Sequence, residues 1–193
     1  MAGLDFDSLR VAIHEHVSPR SAAHCDAVAE EAARLAARYG VDVDAARIAG
    51  LLHDWARDES SETLLNLAEE YGIPVGPVDR DVPYLLHAQV GAAQLARDYP
   101  DLGSDVLDAV ARHTTGAVGM SDLDAVVYVA DMIEPARGFD GVEELRAAVG
   151  AVTLEDLFAH AYATSLRHLI DRRRRFHPAT LQVWNALVTG GRP

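Results

Sequence analysis

The chain has 193 residues and a formal net charge of −13, with 49% hydrophobic and 24% charged residues. This length and composition are typical of one globular domain with a substantial core. The acidic balance argues against broad binding to nucleic-acid phosphates, which requires a basic surface, although a metal site and a few arginines can attract a small phosphorylated substrate locally.

The sequence shows no targeting or membrane signal. No apolar run reaches the roughly 18–20 residues that span a bilayer. The segment from Met1 to Arg10 carries Asp5 and Asp7 and lacks a basic, apolar leader, so we expect no secretion signal. The single cysteine, Cys25, is expected in the core and cannot form an internal disulfide, which makes a reducing cytoplasm the simplest setting. A homodimer is compatible with the sequence, which does not fix the oligomeric state.

Helical periodicity dominates the whole chain, and no segment shows the alternation of a strand. Ser18 and Pro19 predict an N-cap and a first helical residue, and Gly40 predicts the end of that helix at about Tyr39. A second helix is predicted from near Asp44 to the adjacent residues His53 and Asp54. A third opens at residues 60–62 and ends at Gly72.

The second half continues this pattern after a predicted loop at residues 73–82, which is rich in proline and glycine. Further helices are predicted over residues 83–99, 104–116, 123–133 and 152–176, with a final short helix from residue 178 that ends at Gly190 and Gly191. We predict an all-α helical bundle in a single domain over residues 1–193, with a core at about 18–137 and additional C-terminal helices at about 153–189.

Six histidine and aspartate positions lie in, or at the ends of, these apolar helical segments. They are His24, His53, Asp54, His87, His113 and Asp131. Any one histidine could simply be a packed core residue, but the set has the ligand types of a divalent-metal site. It is too large for one tetrahedral zinc and suits two ions with water between them, such as iron or manganese.

The adjacent pair His53 and Asp54 favours two metals. Neighbouring helical residues point about 100° apart, so both reach a metal only beside a helix end or where two metals are present. A carboxylate has two oxygens and can bridge two ions. A two-metal site suits phosphoryl transfer because it generates hydroxide and binds both the attacking and the leaving oxygen.

Two arginines are spaced to accompany the candidate ligands. Arg20 lies four residues before His24, and Arg57 lies four residues after His53, which in each case places the pair on one helix face. Each guanidinium could bind a phosphate bidentately, or could pair with a surface carboxylate.

Four residues follow the candidate ligands closely. Glu134 and Arg137 could orient ligands or solvent, or form an ion pair at a helix end. Thr114 and Thr115 could donate hydroxyls to phosphate, or cap the helix.

The run from Arg172 to Arg175 contains four consecutive cations. It is read as a solvated helix end that complements the helix dipole, with contact to phosphate or nucleic acid as the alternative.

The ordered ligand set and its local strings resemble the HD-domain metallophosphohydrolase superfamily. Within it, the chain looks like the YqeK-type bacterial symmetrical diadenosine tetraphosphate hydrolases from about Arg20 to Asn185. The strings that carry the resemblance are AGLLHDWAR (49–57), LLHAQVGA (85–92), AVARHTTG (109–116) and VYVADMIEPAR (127–137). Two departures are Arg57, where many relatives have lysine, and Trp55, which is bulkier than the usual residue.

This resemblance implies a cytoplasmic hydrolase with two divalent metal ions, most often iron, with manganese, cobalt or nickel as alternatives. It implies cleavage of a dinucleoside tetraphosphate into two nucleoside diphosphates by a metal-bridging hydroxide. The first metal would be held by His24, His53, Asp54 and Asp131, with Asp54 as the bridge, and His87 and His113 would complete the second site. Asp54, Arg20 and Arg137 would be catalytic, and the substrate would be bound by Arg20, Arg57, Thr114, Glu134 and Arg137.

Two other functions are compatible with the same residues. One is a different HD-type nucleotidase or cyclic-nucleotide phosphodiesterase. The other is a non-catalytic regulator that keeps the fold and binds a nucleotide or a partner protein, although a complete ligand set argues against it. In every case we expect a small-molecule nucleotide partner, with no membrane and no bulk nucleic acid.

Overall fold

The structure is a computed structural model that describes residues 5–190. Residues 1–4, in the segment where no leader is expected, and Gly191, at the predicted end of the last helix, lie outside the described residues. Every regular element between residues 5 and 190 is helical, which confirms the predicted all-α class. The elements are α1 (Phe6–His16), α2 (Pro19–Tyr39), α3 (Val43–Leu52), α4 (Ser61–Glu70), α5 (Pro77–Asp81), a 3₁₀ helix (Pro83–Leu86), α6 (His87–Asp98), α7 (Ser104–Arg112), α8 (Asp122–Ile133), α9 (Val142–Ala148), α10 (Leu154–Asp171) and α11 (Pro178–Val188).

The helix boundaries follow from local capping chemistry. The Ser18 side chain accepts a hydrogen bond from the Ser21 N–H at the start of α2, and Gly40 ends that helix in the left-handed conformation with φ 75°. Asp42 and Ser60 cap α3 and α4 in the same way. These caps satisfy backbone N–H groups that have no partner within the helix, and the boundaries predicted for α2 are confirmed.

Several predicted boundaries were wrong. Helices α1 and α9 were not anticipated, because α1 buries only Leu9 and Ile13 and α9 has only seven residues. The predicted loop at 73–82 contains α5, which forms because the Asp79 carboxylate accepts the Gly76 N–H. Helix α10 ends at Asp171 and not near residue 176, so most of the arginine run follows the helix.

The three helices α2, α3 and α8 form the centre of the bundle. Gly50 of α3 lies so close to α2 that a Cβ atom there would be 2.9 Å from the Val28 carbonyl oxygen and 3.0 Å from the Ala29 Cα. Cys25 of α2 is fully buried in the same core, as expected. This close backbone packing brings the middle of α2 and the end of α3 together.

The C-terminal helices cover one end of this centre. The rings of Tyr128, Phe158 and Tyr162 pack together, with centroids 5.1–5.4 Å apart. The Tyr162 hydroxyl is 2.7 Å from the Thr115 carbonyl oxygen and 3.3 Å from that of Thr180. The Tyr162 side chain of α10 therefore joins the turn after α7 to α11. None of the helices formed by residues 5–190 is long and apolar enough to cross a bilayer.

Candidate metal centre

The six candidate ligands come from five parts of the chain and meet at the centre of the bundle. His24 lies within α2 and Asp131 within α8, whereas His53 and His113 cap the C-terminal ends of α3 and α7. His87 lies at the junction of the 3₁₀ helix and α6. The structure therefore assembles all six predicted residues, although sequence positions 24 and 131 are more than a hundred residues apart.

Three of the histidines are oriented by the same local arrangement. In each ring Nδ1 lies near the carbonyl oxygen three residues earlier: 2.8 Å for His53 and Gly50, 2.6 Å for His87 and Tyr84, and 2.8 Å for His113 and Val110. A carbonyl can only accept, so Nδ1 donates. In the neutral ring Nε2 then carries the free lone pair, and the tautomer suited to a metal ligand is fixed.

Asp54 lies between two pairs of histidines. Its Oδ2 atom is 3.3 Å from His53 Nε2 and 3.7 Å from His24 Nε2. Its Oδ1 atom is 3.1 Å from His87 Nε2 and 3.5 Å from His113 Nε2. Each carboxylate oxygen thus faces a different pair, which is the arrangement required of a bridging ligand.

Asp131 belongs to the first of these pairs. Its Oδ1 atom is 2.9 Å from His24 Nε2 and 3.8 Å from His53 Nε2, and it also pairs with Arg137. No ion pair joins Asp131 to His87 or His113 within the described part of the chain. The two halves of the cluster therefore differ in composition: two histidines and a carboxylate on one side, and two histidines on the other, with Asp54 between them.

The donor set fits a divalent cation. The Nε2 atom of His53 is fully buried and has no hydrogen-bond partner among residues 5–190. The Nε2 atoms of His87 and His113 are 3.1 Å apart, and two neutral rings that donate through Nδ1 would direct lone pairs at each other there unless a cation lay between them. Two overlapping triads have ligand atoms within 4.8 Å of one another: His24, His53 and Asp131, and His53, Asp54 and His113.

The electrostatics of the cluster keep both carboxylates ionised. Burial alone would raise the pKa of Asp54, but the neighbouring imidazoles of His53, His87 and His113 hold it well below the ordinary value. Asp131 is held low in the same way, against burial, by its bond with His24 and by nearby cations. Burial lowers the pKa of His113 and keeps its imidazole neutral, which is the form that ligates a metal.

The predicted phosphate-binding arginines differ in their surroundings. Arg20 is exposed at the start of α2, and its side chain makes no hydrogen bond or ion pair with any described residue, so the alternative of a surface ion pair is not seen. Arg57 Nη1 is 3.3 Å from Asp54 Oδ1, and its guanidinium lies over the Tyr84 ring at 4.7 Å. Arg137 donates through Nε to the Asp131 carbonyl at 2.8 Å and pairs with its carboxylate.

The remaining candidates are Glu134, Thr114 and Thr115. The first two contact candidate ligands, and the side chain of the third bonds only to the backbone. Glu134 is buried, with Oε1 3.2 Å from His24 Nδ1 and Oε2 accepting the Ala136 N–H at 2.6 Å. This geometry agrees with the predicted alternative that Glu134 orients a ligand, His24, and its place among the substrate-binding residues stays a prediction. The Thr114 hydroxyl is 3.1 Å from His113 Nε2. The Thr115 hydroxyl donates to the Gly116 carbonyl, which agrees with a role in ending the helix.

The sequence did not point to two residues that support the cluster. Asp58 accepts the Ser18 N–H at 2.6 Å and the Ser21 hydroxyl at 2.9 Å, and so joins the turn after His53 to the start of α2. Tyr84 provides the carbonyl for His87, and its ring lies 4.7 Å from the His87 ring. Asp58 gave no signal because its partners lie 37 and 40 residues away in the sequence. Tyr84 could have been found from its spacing of three residues before a candidate ligand.

An all-helical bundle that gathers four histidines and two aspartates at its centre has the donor set of a divalent-metal site. The HD domain model matches residues 22–136, and the chain belongs to this family, whose members depend on a divalent metal.

Solved and curated relatives cover nearly the whole chain. The chain is 34% identical over 167 residues to the symmetrical bis(5'-nucleosyl)-tetraphosphatase of Bacillus subtilis, which covers 86% of this chain and 89% of the relative. It is 29% identical to the enzyme of the same name from Halalkalibacterium halodurans, over 91% and 93% of the two chains. A crystal structure from Clostridium acetobutylicum, described as a predicted HD superfamily hydrolase involved in NAD metabolism, superposes with a TM-score of 0.89 at 32% identity, over 98% of this chain and all of that one.

Proposed function

We propose that this chain hydrolyses dinucleoside tetraphosphates, such as diadenosine tetraphosphate, symmetrically into two nucleoside diphosphates. The observation that carries the proposal is the position of Asp54, whose two oxygens face two different histidine pairs. The names of the relatives from Bacillus subtilis and Halalkalibacterium halodurans support the choice of substrate.

Two divalent ions would be held by these residues, and iron is our expectation, with manganese, cobalt or nickel as alternatives. His24, His53 and Asp131 would bind the first ion, His87 and His113 the second, and Asp54 both. Such ions supply Lewis acidity to a phosphoryl oxygen and lower the pKa of the attacking water.

The cationic residues around the cluster would bind the phosphates. Arg20 is exposed and unpaired within residues 5–190, so its guanidinium is free to take a phosphate bidentately. Arg57 and Arg137 each pair with a carboxylate of the cluster and would also face the polyanion. Together they offset the repulsion between a tetraphosphate and a chain of net charge −13. Thr114 would donate its hydroxyl beside His113.

The products decide whether the central bridge of the tetraphosphate is the one that reacts. The test is anaerobic purification of the chain, metal analysis and chromatographic identification of the products from diadenosine tetraphosphate. We expect bound divalent metal and two ADP per substrate. AMP with ATP would contradict symmetrical cleavage.

The second histidine pair, formed by His87 and His113, offers a test of whether the centre holds two metals. We expect His87→Ala to reduce the metal content from about two ions per chain to about one, and turnover by at least ~100-fold, because it removes a ligand from only one half. Metal content is measured by elemental analysis and turnover by ADP release. Retention of full metal content and activity in this variant would contradict a two-metal centre.

A further inference from the structure

The Arg57 guanidinium lies between the candidate bridging carboxylate and an aromatic ring. Its Nη1 atom is 3.3 Å from Asp54 Oδ1, and its Cζ atom lies over the Tyr84 ring, 4.7 Å from the centroid. The same Asp54 oxygen faces His87 Nε2 at 3.1 Å and His113 Nε2 at 3.5 Å. These contacts place the guanidinium beside the second histidine pair.

The bond from Arg57 to Asp54 is long for a charged pair. Hydrogen bonds between a guanidinium and a carboxylate are usually about 2.7–2.9 Å long, and Arg112 reaches Asp124 at 2.8 Å. The Nε and Nη2 groups of Arg57 make no hydrogen bond or ion pair with any residue from 5 to 190. The guanidinium is therefore held short of the carboxylate, and most of its N–H groups are free for another anion.

The ring of Tyr84 explains this position. A guanidinium is attracted to the negative face of a tyrosine ring, and stacking on that face leaves the N–H groups at the edge of the guanidinium free. The backbone carbonyl of Tyr84 accepts both the backbone N–H and the Nδ1–H of His87. The peptide that orients a candidate ligand therefore also fixes the ring against which Arg57 lies.

The Tyr84 side chain has few other contacts. It is 38% exposed, and its hydroxyl makes no hydrogen bond with any described residue. Its aromatic and cation contacts within residues 5–190 are with His87 and Arg57. Any residue at position 84 would supply the carbonyl for His87, whereas the contact with the guanidinium requires an aromatic face. Of the two contacts of the ring, only the one with Arg57 involves a charge that phosphate can bind.

We propose that Tyr84 is a positioning residue that acts through Arg57. Its ring holds the guanidinium back from Asp54, so that the free N–H groups bind phosphate oxygens of the substrate beside His87 and His113. The assignment rests on the proposed function. It also explains why a cation next to a buried carboxylate does not close on it, because the ring offers a second attraction outside the cluster.

The comparison of Tyr84→Leu with Tyr84→Phe tests the role of the ring, because phenylalanine keeps the aromatic face and leucine does not. With the metal-loaded full chain and diadenosine tetraphosphate, we expect Tyr84→Leu to raise KM ~3–10-fold while kcat stays within about threefold. Tyr84→Phe should stay within about 1.5-fold of wild type in both constants. Metal content should be unchanged in both variants, since the carbonyl that orients His87 remains. ADP release and elemental analysis give these values.

The matched control is a second stack of the same kind. Arg97 lies over the Tyr71 ring at 5.8 Å, and neither residue bonds to a candidate ligand within residues 5–190. We expect Tyr71→Leu to leave KM unchanged. A KM that is unchanged in Tyr84→Leu, or that rises equally in Tyr71→Leu or in Tyr84→Phe, would overturn the proposal.

A double substitution shows whether Tyr84 acts through Arg57. We expect Arg57→Gln combined with Tyr84→Leu to have the KM of Arg57→Gln alone, within about twofold, because the ring then has no cation to hold. Two effects that multiply would overturn the proposal. Loss of metal in Tyr84→Leu but not in Arg57→Gln would do so too, since the ring would then act on His87.

If Tyr84→Leu does not fold, Arg57→Lys provides the test without a change at Tyr84. Lysine keeps the charge but loses the planar group that stacks and binds phosphate bidentately. A ~3–10-fold rise in KM supports the proposal, and an unchanged KM overturns it.

Failure of the proposed function is recognised separately, because the wild-type chain would then release no ADP. In that case the affinity for inorganic phosphate, measured by calorimetry on the metal-loaded wild type, Tyr84→Leu and Tyr84→Phe, still tests the positioning role. Affinity that is weaker in Tyr84→Leu alone supports it, and any other pattern rejects it.

Discussion

At the scale of single residues, the cluster depends on hydrogen bonds that orient its ligands. His53, His87 and His113 each donate from Nδ1 to a backbone carbonyl. His24 lies in the second turn of α2, where the backbone carbonyls already accept N–H groups of the helix, and its Nδ1 lies near the carboxylate of Glu134 instead. Glu134 therefore does for His24 what a peptide carbonyl does for the other three.

Replacement of Glu134 tests this role. We expect Glu134→Ala to weaken metal affinity by ~10–100-fold, because the imidazole loses the partner that fixes its orientation and raises its basicity. Competition with a chelator, followed by metal analysis, measures the effect. Glu144→Gln, at an exposed position on α9, is the control and should retain wild-type affinity. Equal affinity in the two variants would contradict the assignment.

The six candidate ligands could be singled out in the sequence because histidine and aspartate are conspicuous in apolar helices. The structure brings these six residues together at the centre of the bundle, and it places the two carboxylate oxygens of Asp54 against two different pairs of histidines. The role of Glu134 could not be assigned, since its spacing from Asp131 is equally compatible with facing the ligand His24 and with facing a phosphate. Only the tertiary contact between α2 and the end of α8 distinguishes these.

At the scale of helices, the site depends on how closely α2 and α3 approach. Gly50 has two functions at once: its missing side chain permits the contact with α2, and its carbonyl accepts from His53. Helix propensity alone would favour alanine at this position. The glycine is explained by packing.

The contrast between two helical glycines tests this explanation. A Cβ at Gly50 would lie 2.9 Å from a backbone oxygen, whereas one at Gly91 would lie no closer than 3.3 Å to its neighbours. We expect Gly50→Ala to lower the free energy of unfolding by about 1–3 kcal/mol through overpacking. Gly91→Ala should change it by less than about 1 kcal/mol, since the gain in helix propensity offsets the tighter contact. Urea denaturation followed by circular dichroism gives both values, and the reverse order would contradict the account.

Helix boundaries could be predicted where a cap lies beside the helix in sequence, as Ser18 and Gly40 do for α2. They could not be predicted where a residue other than glycine adopts the left-handed conformation. Arg173 does so, with φ 52°, just after α10. Because arginine carries no sequence signal for a helix end, the helix predicted over residues 152–176 ran several residues too far. The helix α5 was missed because proline and glycine also mark helix starts, as Gly76 and Pro77 do here.

At the scale of the whole molecule, separate elements are joined near the cluster by a few polar contacts. Asp58, in the turn after α3, bonds to Ser18 and Ser21 at the start of α2. The side chain of Tyr162 bonds to the turn after α7 and to α11. These contacts hold the chain segments that carry His53, His113 and the N-terminal part of α2 in register. The division into a metal-bearing core and C-terminal helices stays a prediction.

The Asp58 contact makes part of the stability dependent on pH. Burial raises the pKa of Asp58, but hydrogen bonds from Ser18 and Ser21, together with the charge of Arg57, lower it overall from the ordinary value of 3.8. A carboxyl whose folded pKa is depressed stabilises the fold above its unfolded pKa and loses that contribution as pH falls through the folded pKa. We expect Asp58→Asn to cost about 0.5–1 kcal/mol at pH 7, since the group is exposed and screened.

The measurement is urea denaturation of wild type and Asp58→Asn at pH 7 and near pH 3. The difference in unfolding free energy between the two proteins should shrink at the lower pH. A difference that grows on acidification would contradict the sign of the pKa shift. The metal must be removed from both proteins beforehand, since ligand protonation would otherwise release it in the same range.

The shared bond from Nδ1 to the third preceding carbonyl has a consequence for metal uptake. Each of His53, His87 and His113 is aimed by a peptide of four residues, independently of the other two and of any ion. Folding of the polypeptide alone therefore presets the direction of these rings, and little reorganisation accompanies binding. We expect the apoprotein to give nearly the same far-UV circular dichroism as the loaded protein.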